Sequence, residues 1–184
     1  NLRDALAWVA QSTQGRVSVV VHGQVHAADW VQKVSTQAMQ AFSSGPHHPI
    51  ALIHEGQVQP EHQASPSIRV WPAPDASALP RVEAWPTVEV VFSHAGVDGS
   101  VVRALLATQS PPDGWVVAAT GAGSVHPALE AALLEAHARA AVVWRASRCA
   151  WGEVVSDDAG VFESAGALTP AKARIALMLS LMSP

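Results

Sequence analysis

Apolar residues recur at Leu2, Ala5, Leu6 and Val9 with helical spacing, so the pattern predicts a helix at the start of the chain. Val17–Val21 is a β-branched run and predicts a strand. Asp29 can cap a helical or turn segment running through Phe42, with Trp30, Val34, Ala38 and Ala41 roughly on one side. Ser43–Pro49 has loop chemistry, and Ile50–Ile53, Glu55-Gly56 and Gln57–Gln59 predict a hairpin. From Pro60 to Pro86 there are six prolines and few apolar clusters, the pattern of a linker or draped loop.

Beyond Pro86 strands and helices alternate. Val88–Phe92, Trp115–Ala119 and Ala141–Trp144 predict strands, and Ser100–Thr108 and Pro127–Arg139 predict helices. In the second helix Leu129, Ala132, Leu133 and Ala136 fall at i, i+3, i+4 and i+7, with Glu135 four residues before Arg139. A loop of about twenty residues follows, long enough to be a functional element. Thr169-Pro170 then starts a last helix, with Ile175, Met178, Leu179 and Met182 on one face. This alternation implies right-handed βαβ units on a parallel sheet. Ligands on such sheets sit beyond the carboxyl ends of the strands, here at His94–Ser100, Thr120–Val125 and Ser147–Glu153.

Composition narrows the classes. The 184 residues suffice for one ordinary domain or two small lobes, and 49% hydrophobic with 14% charged residues excludes a disordered tail or coiled coil. A net charge of −4 gives no basic footprint for nucleic acid or an anionic membrane, and no apolar run reaches the length of a membrane span. The single cysteine, Cys149, excludes an internal disulfide framework and favours a reducing, cytoplasmic setting. The chain opens at Asn1 inside a helical pattern, which predicts a further segment upstream.

The most suggestive local chemistry is Thr120-Gly-Ala-Gly-Ser124, where a strand ends in glycines and opens a helix. A dinucleotide fingerprint needs a third small residue where His126 stands, and an acid after the next strand, which ends Trp144-Arg145-Ala146. No Lys-Ser/Thr pair follows, so this is no P-loop, and Ser124 lacks the flanking glycines of a nucleophile elbow. A tight turn with Ser124 as helix cap is the plainer reading; a binding role is the other. His47-His48, His54 and His62 read as a surface histidine loop rather than a zinc site, and Asp157-Asp158 as a solvated turn. Local pattern alone gives Lys33 no role beyond a solvated side chain.

Longer blocks say more. Val19-Val-Val-His-Gly-Gln-Val-His-Ala-Ala-Asp-Trp-Val-Gln-Lys-Val-Ser-Thr36, Gly45-Pro46, Ile53-His-Glu-Gly56, Phe92-Ser-His-Ala-Gly-Val-Asp-Gly-Ser100, Gly114 to Leu133, Val142-Val-Trp-Arg-Ala-Ser-Arg148 and Gly166 to Arg174 together resemble, in order, the bacterial-type L-asparaginases. The resemblance implies an α/β fold: a three-layer parallel-sheet C-terminal domain over 87–184, preceded by the tail of a larger flavodoxin-like α/β domain over 1–58, with the proline-rich 59–86 as linker. It implies an amidohydrolase that needs no metal or cofactor and assembles as a homodimer or homotetramer. Its substrate would be asparagine, with glutamine as a second candidate. A threonine nucleophile attacks the side-chain amide, and an acyl-enzyme is hydrolysed to aspartate and ammonia. Lys33 matches the lysine of the family's Thr-Asp-Lys triad. Ser124 stands where the family carries an asparagine that reaches substrate in the neighbouring subunit.

The chain departs from the family pattern at specific positions. Neither Thr-Gly-Gly-Thr nor Thr-Asp-Thr occurs in it, and the resemblance puts both motifs upstream of Asn1. His22-Gly23 replaces the family's Asn-Asp, Asp29 its arginine, and Val34 the threonine after the lysine. The last acidic loop is shorter, leaving the family's substrate-side glutamate unmatched. A non-catalytic α/β binding or interaction module of the same architecture is therefore the competing expectation.

Overall fold

In the computed structural model, the structure describes residues 1–12, 17–60, 79, 85–155 and 161–182. The chain divides into two compact units, Asn1–Ile68 and Arg69–Pro184. Most of the proline-rich stretch, with His62 and the Asp157-Asp158 pair, lies outside the described residues.

The first unit opens with helix α1 (Leu2–Gln11), as the spacing predicts. Its predicted core stripe nevertheless faces out: Leu2, Leu6 and Val9 are 77%, 65% and 72% exposed. Trp8, on the other side, packs against a small core of Val25, Ala51 and Ile53. Strands β1 (Ser18–Val21) and β2 (Gln24–Ala27) pair antiparallel, and β5 (Ala51–His54) and β6 (Gln57–Pro60) form the predicted hairpin around Glu55-Gly56. Together they make an antiparallel sheet of order β1-β2-β5-β6.

Of the helical or turn segment expected from Asp29 through Phe42, no helix forms, and a turn is confined to its start, at residues 28–30. In its place a two-stranded ribbon pairs β3 (Gln32–Lys33) with β4 (Phe42–Ser43), followed by a 3₁₀ turn at Gly45–His47. The reason is local competition for backbone groups. The Ser35 hydroxyl accepts hydrogen bonds from the N–H groups of Gln37 and Ala38, and the Val34 N–H donates to Ala41 O at 2.7 Å. β-Branched Val31 and Val34 also favour extended backbone. Of the four residues read as lying on one side, Trp30 and Ala41 are buried and Val34 and Ala38 are exposed, and Trp30 stacks on His47 with ring centroids 3.4 Å apart.

The second unit follows the predicted alternation closely. Strands β7 (Val88–Phe92), β8 (Gly114–Ala119), β9 (Val142–Ser147) and β10 (Glu163–Ser164) form one parallel sheet of order β10-β9-β8-β7. Helices α2 (Ser100–Leu106) and α3 (Pro127–His137) cover one face, burying Val102, Leu106, Leu129 and Leu133 against Trp115, Val117 and Val143. Helix α4 (Pro170–Leu181) covers the other, packing Ala173, Leu177 and Met178 onto Val88, Val116 and Trp144. The unit therefore has three layers. Every residue of β8 is buried, as expected of a strand with helices on both sides.

Two predicted side-chain arrangements change. On α4 the buried stripe is Ala173, Leu177 and Met178, while Ile175 is exposed. Glu135 pairs with Arg103 of α2 at 2.8 Å rather than with Arg139 four residues on, and Arg139 donates to Leu106 O. The Arg103 fork meets both Glu135 oxygens, a bidentate, charge-assisted geometry. The helices approach closely at Gly99, whose φ is +77° and where a Cβ would meet Ala132 Cβ at 2.6 Å and Ala128 O at 2.8 Å.

Candidate functional site

Because all four strands of the second unit run parallel, the segments after them emerge at one edge. Those segments are sewn together there. Ser93, one residue past β7, donates its N–H to Ala118 O, and its hydroxyl accepts the His126 N–H at 2.9 Å. Ser147, closing β9, donates its hydroxyl to Gly121 O at 2.6 Å, and Ser164, closing β10, donates to Val154 O at 2.9 Å. The Val155 N–H reaches Ala122 O at 3.2 Å. Three buried serines thus tie the segments at this edge into a ledge.

Ser124 stands on this ledge with its side chain exposed. Its main chain is fixed: Ser124 N–H donates to Thr120 O at 2.9 Å, and Ser124 O accepts from Thr120 N–H at 3.0 Å and Thr120 Oγ1 at 3.1 Å. Buried Gly123 holds the turn at φ +121° against Val154, leaving no room for a Cβ, which would sit 2.7 Å from Val154 Cγ1. Ser124 is not the cap of α3. The cap is His126, whose Nδ1 accepts the Ala128 N–H at 3.3 Å, with Pro127 in the first helical position. The plainer reading of Ser124 is therefore overturned, since a residue two positions before the cap cannot reach the first free N–H groups.

Asp98 lies in the neighbouring loop. The Ser100 hydroxyl, then the Ser100 N–H, hold its carboxyl below the ordinary value, and Arg103 adds to the effect. This exposed network fixes the start of α2.

The first unit carries Lys33, an exposed residue of β3 whose backbone faces Phe42 of β4. Beside the ribbon is a cleft of about 280 Å³ lined by Gln24, His26, Gln40, Phe42, Ser44 and His48, among others. Sequence reasoning missed its most buried polar pair. His26 is only 1% exposed, with Nδ1 2.9 Å from Ser44 Oγ and Nε2 3.2 Å from Gln24 Oε1. Burial lowers the His26 pKa below the ordinary imidazole value of 6.5. Little in the sequence signals it, since His26 shares the Val19–Ala27 stretch with His22 and Gln24 and nothing local singles it out. Ser93 could have been found, since it directly follows the predicted strand Val88–Phe92; Ser147 and Ser164 lie beyond the predicted strands, in the stretch read as a loop. Among the described residues, no group of three or more His, Cys, Asp or Glu could hold a metal ion, and no helix is long and apolar enough to cross a membrane.

The fold and its loops define a class: an α/β protein whose parallel-sheet unit presents a serine-fixed ledge at the carboxyl ends of its strands, preceded by a unit carrying a lysine on a β-ribbon. Residues 87–183 match the glutaminase/asparaginase C-terminal domain, and residues 1–66 match the N-terminal asparaginase domain. The chain belongs to the glutaminase/asparaginase family. It is 29% identical to the probable periplasmic L-asparaginase of Haemophilus influenzae, over 98% of this chain and 52% of that protein. It is 28% identical to L-asparaginase 2 of Escherichia coli, over 98% of this chain and 53% of that protein. The crystal structure of a probable cytoplasmic L-asparaginase from Campylobacter jejuni superposes with a TM-score of 0.84 at 28% identity, over all of this chain and 60% of that one. The chain thus spans about half the length of the curated relatives it matches.

Proposed function

We propose that this chain is part of an L-asparaginase-type amidohydrolase, converting L-asparagine and water to L-aspartate and ammonia. The observation that carries the reading is the match to both family domains in order, over 1–66 and 87–183. In this reading a threonine from the family motifs that the sequence does not contain attacks the side-chain amide carbon. Ammonia leaves with the proton taken from the hydroxyl, and water then cleaves the acyl ester to release aspartate and regenerate the threonine. A hydroxyl is a poor nucleophile until a base and a nearby cation lower the cost of deprotonating it. Lys33 is assigned that assisting, catalytic role. Ser124, exposed on its fixed turn, is assigned a hydrogen bond to the substrate's α-groups across a subunit contact, within a homodimer or homotetramer. Glutamine is the second candidate substrate. A cytoplasmic setting is the favoured one on the strength of exposed Cys149, and cell fractionation tests it. The domain limits proposed are 1–58 and 87–184, joined by 59–86.

The test joins residues 1–184 to the threonine-motif portion of L-asparaginase 2 from Escherichia coli and measures ammonia release. Turnover that disappears in Lys33→Ala supports the reading, as does a rise in KM for Ser124→Ala. A hydrogen bond lost to a substrate is worth roughly 0.5–3 kcal/mol, depending on whether the partner is charged. A folded chimera that releases no ammonia overturns the reading. That outcome would favour the alternative, a non-catalytic binding module, for which one observation speaks. Val34, where the family has threonine, leaves an apolar side chain 54% exposed beside Lys33.

A further inference from the structure

The ribbon that carries Lys33 is short, with only two residues in each strand. Pairing of that length cannot hold itself in water, so its position depends on what ties it to the larger sheet. Two ties to the segment just past β4 are visible. Ser44, the next residue after β4, bonds His26 of β2, and His47 stacks on Trp30. β2 is an inner strand, paired with β1 on one side and β5 on the other, so His26 projects from the firmest part of the unit.

The direction of the bond follows from its neighbours. Gln24 presents a carbonyl oxygen to Nε2, so Nε2 carries the proton and Nδ1 accepts the Ser44 O–H. Both residues are almost completely buried, which makes loss of either partner costly, because a buried Nδ1 or hydroxyl then loses this hydrogen bond. His48, which lines the same cleft, is held at φ 52° and ψ 166°, a backbone region that side chains seldom occupy. A segment constrained in this way is over-determined by its surroundings, and the His26–Ser44 bond is the buried element of that constraint.

We infer that His26 is a positioning residue for Lys33: through Ser44 it anchors the β3–β4 ribbon to the four-stranded sheet and so fixes where the lysine side chain starts. The inference rests on the catalytic role proposed for Lys33, and the experiment separates the two.

Hydrogen exchange on the chain itself reads the anchor directly. In His26→Ala the Val34 amide, bonded to Ala41 O, should exchange about tenfold faster, while β5–β6 amides keep their protection. His26→Asn places an amide group where Nδ1 stood and should restore protection. His26→Gln reaches only as far as Nε2 and should not. In the chimera with the threonine motifs, His26→Ala should lower kcat about tenfold with little change in KM, and His26→Asn should recover it. Equal acceleration across β5–β6, or equal rescue by Asn and Gln, overturns the inference, because a merely structural histidine would give either. Unchanged kcat in His26→Ala overturns it too, provided Lys33→Ala abolishes turnover. If Lys33→Ala leaves turnover intact, the catalytic reading of Lys33 falls instead, and the positioning role with it.

Discussion

Gly123→Ala tests the ledge most sharply. The new methyl would sit at a positive φ of 121°, a sparsely populated conformation that costs about 1–3 kcal/mol. It would also lie 2.7 Å from Val154 Cγ1, and forcing a methyl into such a contact costs about 1–3 kcal/mol more. The single substitution should therefore destabilise the second unit by about 2–6 kcal/mol. Val154→Ala alone removes two buried methyl groups, a loss of about 1.6 kcal/mol. In the double variant Cγ1 is gone and the nearest Val154 atom is Cβ at 3.7 Å, an ordinary contact. The backbone strain stays but the overlap vanishes, so the two changes together should cost about 1–3 kcal/mol less than their sum. Hydrogen exchange of the Val116–Ala118 amides, deep in β8, reads the unit's stability without interference from the first. Additivity within about 0.5 kcal/mol would refute the packing of Val154 on Gly123.

Further expectations follow from other contacts. Gly99→Ala should destabilise more stubbornly than Gly123→Ala, because Ala132→Gly relieves only one of its two close contacts and the Ala128 carbonyl remains; a full rescue by Ala132→Gly in urea unfolding would contradict this. Leu133→Ala, wholly buried in α3, should cost about 2–5 kcal/mol by the same assay. The lowered His26 pKa means that below 6.5 the opened ribbon takes up a proton before the closed one does, so the ribbon should be fully held above 6.5 and loosen as pH falls. His26→Asn should flatten that dependence, measured by exchange of the Val34 amide in the ribbon; an unaltered slope would assign it to another group. The exposed α1 stripe should drive association, and Leu6→Lys with Val9→Lys should shift the species toward monomer in light scattering.

The second unit was legible because its signals were local and redundant. Leu129, Ala132, Leu133 and Ala136 mark one face of α3 without ambiguity, Thr169-Pro170 places the start of α4, and strict alternation forces a parallel sheet. Within the first unit, α1 and the β5–β6 hairpin were legible too, but the 29–44 segment resisted because its decisive contacts are tertiary rather than helical. Trp30, Val34, Ala38 and Ala41 have helical spacing, yet Trp30 is claimed by His47 and Val34 by Ala41 across a ribbon. Nothing in the composition of 29–42 announces that Ser35 will take two backbone N–H groups for itself. The His26–Ser44 pair is eighteen residues apart and forms only once two β elements are in place. At Ser124 the strand-to-helix turn was readable, but not which residue caps the helix, because His126 and Ser124 are both chemically able to do so and only geometry decides.

The turn at Thr120–Ser124 is closed by main-chain groups and one threonine hydroxyl, and none of its bonds uses the Ser124 side chain. Position 124 therefore behaves as a socket: what is plugged in can be exchanged while the fitting keeps its shape. Ala122 is also exposed, and its carbonyl accepts the Val155 N–H, a bond that does not use its side chain, so it offers a second such socket two residues away. A library varying only these two side chains would sample different hydrogen-bonding patterns and shapes on one unchanging frame. Exchanging the residue at 124 leaves every one of those turn bonds in place, so it should leave the folding of the sheet beneath unchanged.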